Sequence, residues 1–228
     1  MGATPFRPFM RCVTVASRFN AFDKITKNVR MSKMEMTAED PRRDIILQAA
    51  FRVFVTYGFR RTSMSDIAEA AGVSRPALYQ HFSSKADIFR AYVTLIMAST
   101  LRSIGTAFAG DEDFSSKLAR ALDGAFLAPH RLITDSPHGE ELIGVNKEIA
   151  ADLFADWMTG VEQALQEAFA AESKAGRLDL GRSGLDASRL ARLVVDAMEG
   201  IKLRMASLDE AEHSIADVVR LVAAATRR

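Results

Sequence analysis

Residues 62–85 read TSMSDIAEAAGVSRPALYQHFSSK, and this stretch decides the fold. Ser63 with Asp66 three residues on is a capping box: the serine hydroxyl accepts the N3 amide while the carboxylate reaches back to the serine amide, so a helix opens here. Met64, Ile67, Ala68 and Ala71 give that helix an apolar face, and Gly72 ends it. Glycine reaches the left-handed backbone conformation of a helix end at little cost, and its small size is expected to let the flanking helices approach closely. Ser74 caps a second short helix, Arg75 to His81. With Ile67, Ala68, Val73 and Leu78 inward, the pair makes a helix-turn-helix whose second helix can enter a major groove. The spacing alone is shared by any helical hairpin with a glycine turn.

Working outward, apolar residues recur at three and four positions and no run alternates with period two for long, so the chain is all-α. Asp40-Pro41 supplies an N-cap and a proline at the first helical position. A helix over 41–57 follows, with Ile46, Ala50, Phe54 and Tyr57 as its apolar stripe and Gly58 as its stop. Ser84 with Asp87 is a second capping box. It starts a long helix, carrying Ile88, Phe89, Tyr92, Ile96 and Ile104, that joins the two parts of the chain. Beyond it the pattern predicts helices over 115–127, stopped by Pro129, then 140–172, stopped near Gly176, then 186–206 and 209–226. Loops fall at 109–114, 134–139 and 173–185. The resulting organisation is a poorly ordered basic extension (1–36), a helix-turn-helix domain (37–90) and a further helical domain (91–228).

The 228 residues are 48% apolar and 26% charged, an ordinary globular composition that argues against a disordered or collagen-like chain. Cys12 is the one cysteine, so no internal disulfide can form, and a reducing cytoplasm fits. No stretch has the roughly 18 apolar residues of a membrane span, so a soluble protein with no membrane partner is expected. The net charge of +1 conceals an asymmetry. Residues 42–90 hold eight Lys/Arg against four Asp/Glu, whereas 91–228 hold fifteen against twenty-one. A basic front and an acidic rear suit a polyanion partner for the first part, although scatter over solvated faces gives the same sums. Within 1–36, Arg7, Arg11, Arg18, Lys24, Lys27 and Arg30 precede Met31, Met34 and Met36. The reading favoured for this stretch is an upstream start-codon assignment, with an amphipathic arm as the alternative.

Residues 46–92, ILQAAFRVFVTYGFRRTSMSDIAEAAGVSRPALYQHFSSKADIFRAY, closely resemble the DNA-binding domain of the tetracycline-repressor (TetR) family of transcriptional regulators. The likeness rests on Phe54, Gly58 and Phe59, on Thr62, Ser63, Ile67 and Ala68, on the Ala71-Gly72-Val73-Ser74 turn, and on Leu78-Tyr79-x-His81-Phe82-x-x-Lys85. It implies that the helix from Arg75 lies in the major groove of double-stranded DNA. Arg75, Pro76, Ala77 and Tyr79 would face base edges, and Gln80 a base or the backbone. A guanidinium at Arg75 can fork onto guanine O6 and N7, which discriminates against other bases by roughly 1 to 3 kcal/mol; a phosphate contact is its other reading. The resemblance assigns Thr62, Ser63, Tyr79, His81 and Lys85 to phosphates, positioning the helix without reading sequence. Packing roles compete for His81 and Tyr79. Arg42, Arg43, Arg60 and Arg61 add positive charge nearby.

For the rest of the chain the likeness lies in layout, a helical bundle ending in a helix pair. Leu190, Leu193, Val194, Ala197, Met198 and Ile201 in one helix, and Ile215, Val218, Val219, Leu221, Val222 and Ala225 in the other, are apolar almost all round. Such helices need cover on two sides, and a homodimer supplies it while matching the half-sites of a palindromic operator. Phe108, Phe126, Phe154, Trp157, Met158 and Met198 are the candidate lining of a pocket for a small organic effector, with plain core as the alternative, and His130, His138 and Asn146 as polar partners. A metal site from His130, Asp135 and His138 is disfavoured, and no cofactor is expected. Nothing suggests an enzyme: Asp111-Glu112-Asp113 and Glu140-Glu141 lie in a loop and at a helix start, where acids are ordinary. The expected function is a ligand-released dimeric repressor, with an activator or a regulator acting through a protein partner as the alternative.

Overall fold

The computed structural model describes residues 40–134 and 136–227, and every regular element among them is helical. The expectations for residues 1–36 and for Asp135 lie outside the described residues. The elements are α1 Pro41–Tyr57, α2 Met64–Ala71, α3 Arg75–His81, α4 Lys85–Phe108, α5 Phe114–Leu122, a π-helical turn Asp123–Leu127, α6 Ala128–Thr134, α7 Gly139–Ile149, α8 Ala151–Lys174, α9 Leu180–Ser183, α10 Ala187–Arg204 and α11 Leu208–Thr226.

Two apolar cores organise these helices. The first gathers Ile46, Leu47, Ala50 and Phe54 of α1, Ile67 and Ala68 of α2, Leu78 of α3, and Ile88 and Phe89 of α4. Leu142 and Val145 of α7 are buried in the same cluster. The packing unit around the helix-turn-helix therefore extends beyond residue 90 and includes a helix from far along the chain. The second core is built by α4, α5, the π turn, α8, α10 and α11 around Leu118, Phe126, Leu165, Phe169, Val194 and Met198. α4 contributes to both, with Ile88 and Phe89 at one end and Ile104 at the other.

Three details differ from the sequence pattern. Tyr57, expected on the apolar stripe of α1, is 61% exposed; Val53 and Phe54 already fill the inner face one turn earlier, and both are buried. Pro129 does not stop a helix. The ladder widens to a π turn before it, with the Ala128 amide donating to Asp123 O, and α6 then carries the proline in its first turn. In a regular α-turn the ring would strike the carbonyl four residues back. The helix expected over 140–172 is two helices, broken at Ala150 (φ −137°, ψ 22°) with no glycine or proline present. Arg90 of α4 explains the break: its guanidinium donates to Ile149 O at 2.5 Å and forks onto Asp152 at 2.7 and 2.6 Å. The break lets α7 serve the first core while α8 packs into the second.

Candidate nucleic-acid interface

Local chemistry fixes α2 and α3 at their starts. Ser63 Oγ accepts the Asp66 amide at 3.3 Å and Asp66 Oδ2 accepts the Ser63 amide at 2.8 Å, completing the capping box. The Ser63 amide, and the Ser63 hydroxyl at 2.9 Å, both donate to Asp66 Oδ2 and hold its carboxyl below its ordinary pKa. Gly72 sits at φ 68°, ψ 29° and closes α2 in the left-handed conformation. A Cβ added there would meet nothing within 4 Å, so glycine serves the dihedral angle and not the close helix approach that the sequence suggested. Ser74 Oγ accepts the Ala77 amide at 3.3 Å, and Leu78 is fully buried under α3.

Anchored in this way, α3 turns Arg75, Pro76, Tyr79 and Gln80 to the surface, with Ala77 half-buried among them. Tyr79 is 47% exposed. Among the described residues the Arg75 guanidinium makes no hydrogen bond or ion pair, so its five donors face solvent. His81, at the end of α3, is half-buried with Nδ1 2.9 Å from Asp40 Oδ2. The same Asp40 caps α1 through the Arg42 amide at 3.1 Å, so one carboxylate ties α3 to the start of α1.

Two residues expected at phosphates have their donors engaged within the domain. Thr62 is buried, and its hydroxyl donates to Gly58 O at 2.6 Å. Lys85, the first residue of α4, donates to Phe59 O at 2.8 Å, Arg60 O at 3.1 Å and Thr62 O at 2.8 Å. Its ammonium also stands 4.7 Å from the Phe59 ring centroid. Arg43 covers the Phe82 ring at 4.8 Å, while Arg42, Arg60 and Arg61 are exposed.

The α1–α2 turn is held from a second side by a residue that sequence reasoning missed. Glu141 of α7 accepts the Arg60 amide through Oε1 at 2.7 Å. Ser136 Oγ donates to Val55 O at 2.7 Å, and His138 Nδ1 lies 3.6 Å from Glu141 Oε2. Gly58 (φ 85°, ψ 153°) permits the contact: a Cβ there would stand 2.4 Å from Glu141 Oε2. The only sequence signal was an acid in the first turn of a helix, which the helix dipole accounts for equally well.

The match to known proteins follows this geometry. A family model described as bacterial regulatory proteins, tetR family, matches residues 46–92. The HTH-type transcriptional activator FasR of Mycolicibacterium smegmatis is 30% identical over 159 residues, covering 69% of this chain and 71% of FasR. The chain belongs to the tetR family. It is accordingly a DNA-binding transcriptional regulator and not an enzyme. The nucleoid occlusion factor SlmA of Shewanella baltica is 29% identical over 64% of this chain and 77% of SlmA. Among solved structures the fold is similar to that of SmeT in complex with triclosan, with a TM-score of 0.59 and 18% identity over 83% of this chain and 93% of that one. SmeT is titled the repressor of the Stenotrophomonas maltophilia multidrug efflux pump SmeDEF.

The candidate effector residues of this tetR-family chain all lie in or against the second core, and two of them border a small cavity. Phe108 packs with Phe114 and Phe169, at ring centroid distances of 6.2 and 6.1 Å. Phe126 and Phe154 flank Trp157 at 5.5 and 5.4 Å, and the indole Nε1 donates to Thr100 Oγ1 at 2.7 Å. Met158 packs against the same core. Phe126 and Met198 alone of the six line a small cavity, together with His130, Ile201, Lys202 and Met205. Its volume of ≈ 10 Å³ has room for about one water molecule. Burial pushes the pKa values of both His130 and Lys202 down, and the Lys202 ammonium stands 3.9 Å from the Phe154 ring centroid.

On the terminal helix pair, Leu190, Val194, Met198, Ile215, Val219 and Val222 are buried in the protomer's own core. The large apolar side chains left outward are Leu193, Leu203 and Leu221, exposed by 53%, 85% and 72%. No helix among the described residues is long and apolar enough to cross a membrane, and no cluster of His, Cys, Asp or Glu there could hold a metal ion.

Proposed function

We propose that the protein is a cytoplasmic homodimeric repressor that inserts α3 of each protomer into the major groove of a palindromic operator and is released by a small organic effector. The carrying observation is the surface of α3: Arg75, Pro76, Tyr79 and Gln80 lie exposed on one short helix fixed by the Ser74 cap, by buried Leu78 and by the Asp40–His81 contact. Arg75 is the base-reading residue, and the exposed Ser63, Arg42 and Arg61 add phosphate contacts around it. Leu193, Leu203 and Leu221 supply the dimer face, because three large apolar side chains on neighbouring helices gain from cover.

Release works through two connections. α4 runs without interruption from the first core into the second, so a displacement at its far end moves α3. α6, whose His130 borders the small cavity, leads into the segment that grips Val55 and Arg60 through Ser136 and Glu141. An effector that enlarges this cavity favours a state in which the two α3 helices no longer match grooves about 34 Å apart. The SmeT–triclosan complex supports a small-molecule effector in this fold. An activator stands as the second reading, favoured by the relationship to FasR.

The test is selection of duplexes from a random-sequence library, followed by transcription from a promoter carrying the selected site. Palindromic half-sites, and transcription lowered by the protein, are expected. Raised transcription would select the activator reading, and the absence of any enriched site would overturn both. Compounds that raise the melting temperature should also perturb Trp157 emission, since Phe126 joins the cavity to the indole.

A further inference from the structure

We infer that Lys85 is a positioning residue for DNA binding, fixing the turn that carries Arg60, Arg61 and Ser63, and is not itself a phosphate ligand. The backbone of that turn shows how. Between α1 and α2 the carbonyls lack helical partners, and four of them are satisfied by side chains. Thr62 Oγ1 takes Gly58 O, and the Lys85 ammonium takes Phe59 O, Arg60 O and Thr62 O. An ammonium has three N–H donors, and each has a carbonyl within 3.1 Å, so none remains for a phosphate oxygen.

Three carbonyl oxygens converging on one point repel each other unless a cation sits between them. Without Nζ the turn must open, and its exposed arginines and the Ser63 cap leave their places. The site of the lysine is informative in itself. A cation at the first residue of a helix opposes the helix dipole, and turning the side chain back over the Phe59 ring removes the charge from that end. Glu141 grips the Arg60 amide of the same turn, so the segment is held by an ammonium at its carbonyls and a carboxylate at an amide.

The inference rests on the proposed DNA-facing surface, and the experiment keeps the two separable. Operator affinity is measured by fluorescence anisotropy over a KCl series, on a duplex selected by the wild-type protein. Wild type, Lys85→Arg, Lys85→Met and Arg75→Ala are compared at a temperature where their circular dichroism spectra coincide. A guanidinium keeps the charge but cannot direct three donors at these carbonyls, so Lys85→Arg should lose about tenfold in affinity, as Lys85→Met should. In both, the slope of log K against log[KCl] should flatten to the same degree, because the Arg61 phosphate contact is lost with the turn. If Lys85→Arg binds like wild type while Lys85→Met flattens the slope by about 0.9, Lys85 contacts a phosphate and the inference is overturned. Wild-type affinity in both variants would also overturn it, leaving only a contribution to stability. If Arg75→Ala alters neither affinity nor base preference, the reading of α3 fails instead, whatever Lys85 does.

Discussion

Replacing Gly58 by alanine should be among the most damaging single-methyl additions in the molecule, and its cost has two separable parts. At φ 85°, ψ 153° an L side chain is strained, which costs about 1–3 kcal/mol. The new Cβ would also stand 2.4 Å from Glu141 Oε2. The flexible carboxylate can swing away, but the charged hydrogen bond to the Arg60 amide then goes with it, a further loss of about 1.5 kcal/mol. The sum is about 2.5–4.5 kcal/mol, or roughly 5–18 °C in Tm for a domain of this size. Urea denaturation of Gly58→Ala, Glu141→Ala and the double variant resolves the parts. Once Glu141 is alanine, Gly58→Ala should cost only the strain, so the double variant should be more stable than additivity allows by about 1.5 kcal/mol. A cost below about 0.5 kcal/mol for Gly58→Ala, or a strictly additive cycle, would refute the latch between this turn and α7.

Other outcomes follow from the same physics. Leu221→Glu and Leu193→Glu should give monomers in analytical ultracentrifugation with an unchanged helical spectrum, whereas Val222→Glu, on an inward-facing position, should unfold the protomer. Lys117 and Glu172 are both buried with Nζ and Oε1 3.0 Å apart, and Arg177 forks onto the same carboxylate at 2.7 and 2.9 Å. Glu172→Gln leaves the Lys117 charge buried without an acid and should cost about 3–5 kcal/mol, while Lys117→Met leaves the Arg177 fork intact and should cost about 1 kcal/mol or less. Burial holds His130 below its ordinary pKa. The unfolded chain therefore takes up the proton first as pH falls below about 6.5, so the neutral-histidine contribution is complete above that pH and declines beneath it. Urea midpoints taken across this range should fall more steeply for wild type than for His130→Gln.

The helix-turn-helix was legible because its determinants are local. Caps at Ser63 and Ser74 and the left-handed Gly72 lie within three residues of the backbone groups they serve, so a pattern of residue types suffices. The break at Ala150 was not, because the residue that draws the Ile149 carbonyl away is Arg90, 59 positions distant. Lys85 illustrates a different limit: its partners are backbone carbonyls, which every residue type possesses, so nothing in the sequence distinguishes them from a phosphate. For the aromatic residues of the second core the pattern leaves plain core and pocket lining undistinguished. Helical spacing says which side chains point inward, and the fit between helices decides whether space remains beside them.

The central claim, that α3 reads sequence through Arg75 while surrounding groups hold phosphates, is tested most directly by repeating the duplex selection with Arg75→Ala. The account predicts that preference is lost at one base pair in each half-site, related by the two-fold axis, with discrimination there falling by about 1–3 kcal/mol and the salt slope changing little. An unaltered base preference with a slope flattened by about 0.9 would contradict it, making Arg75 a phosphate contact and placing sequence readout elsewhere on α3.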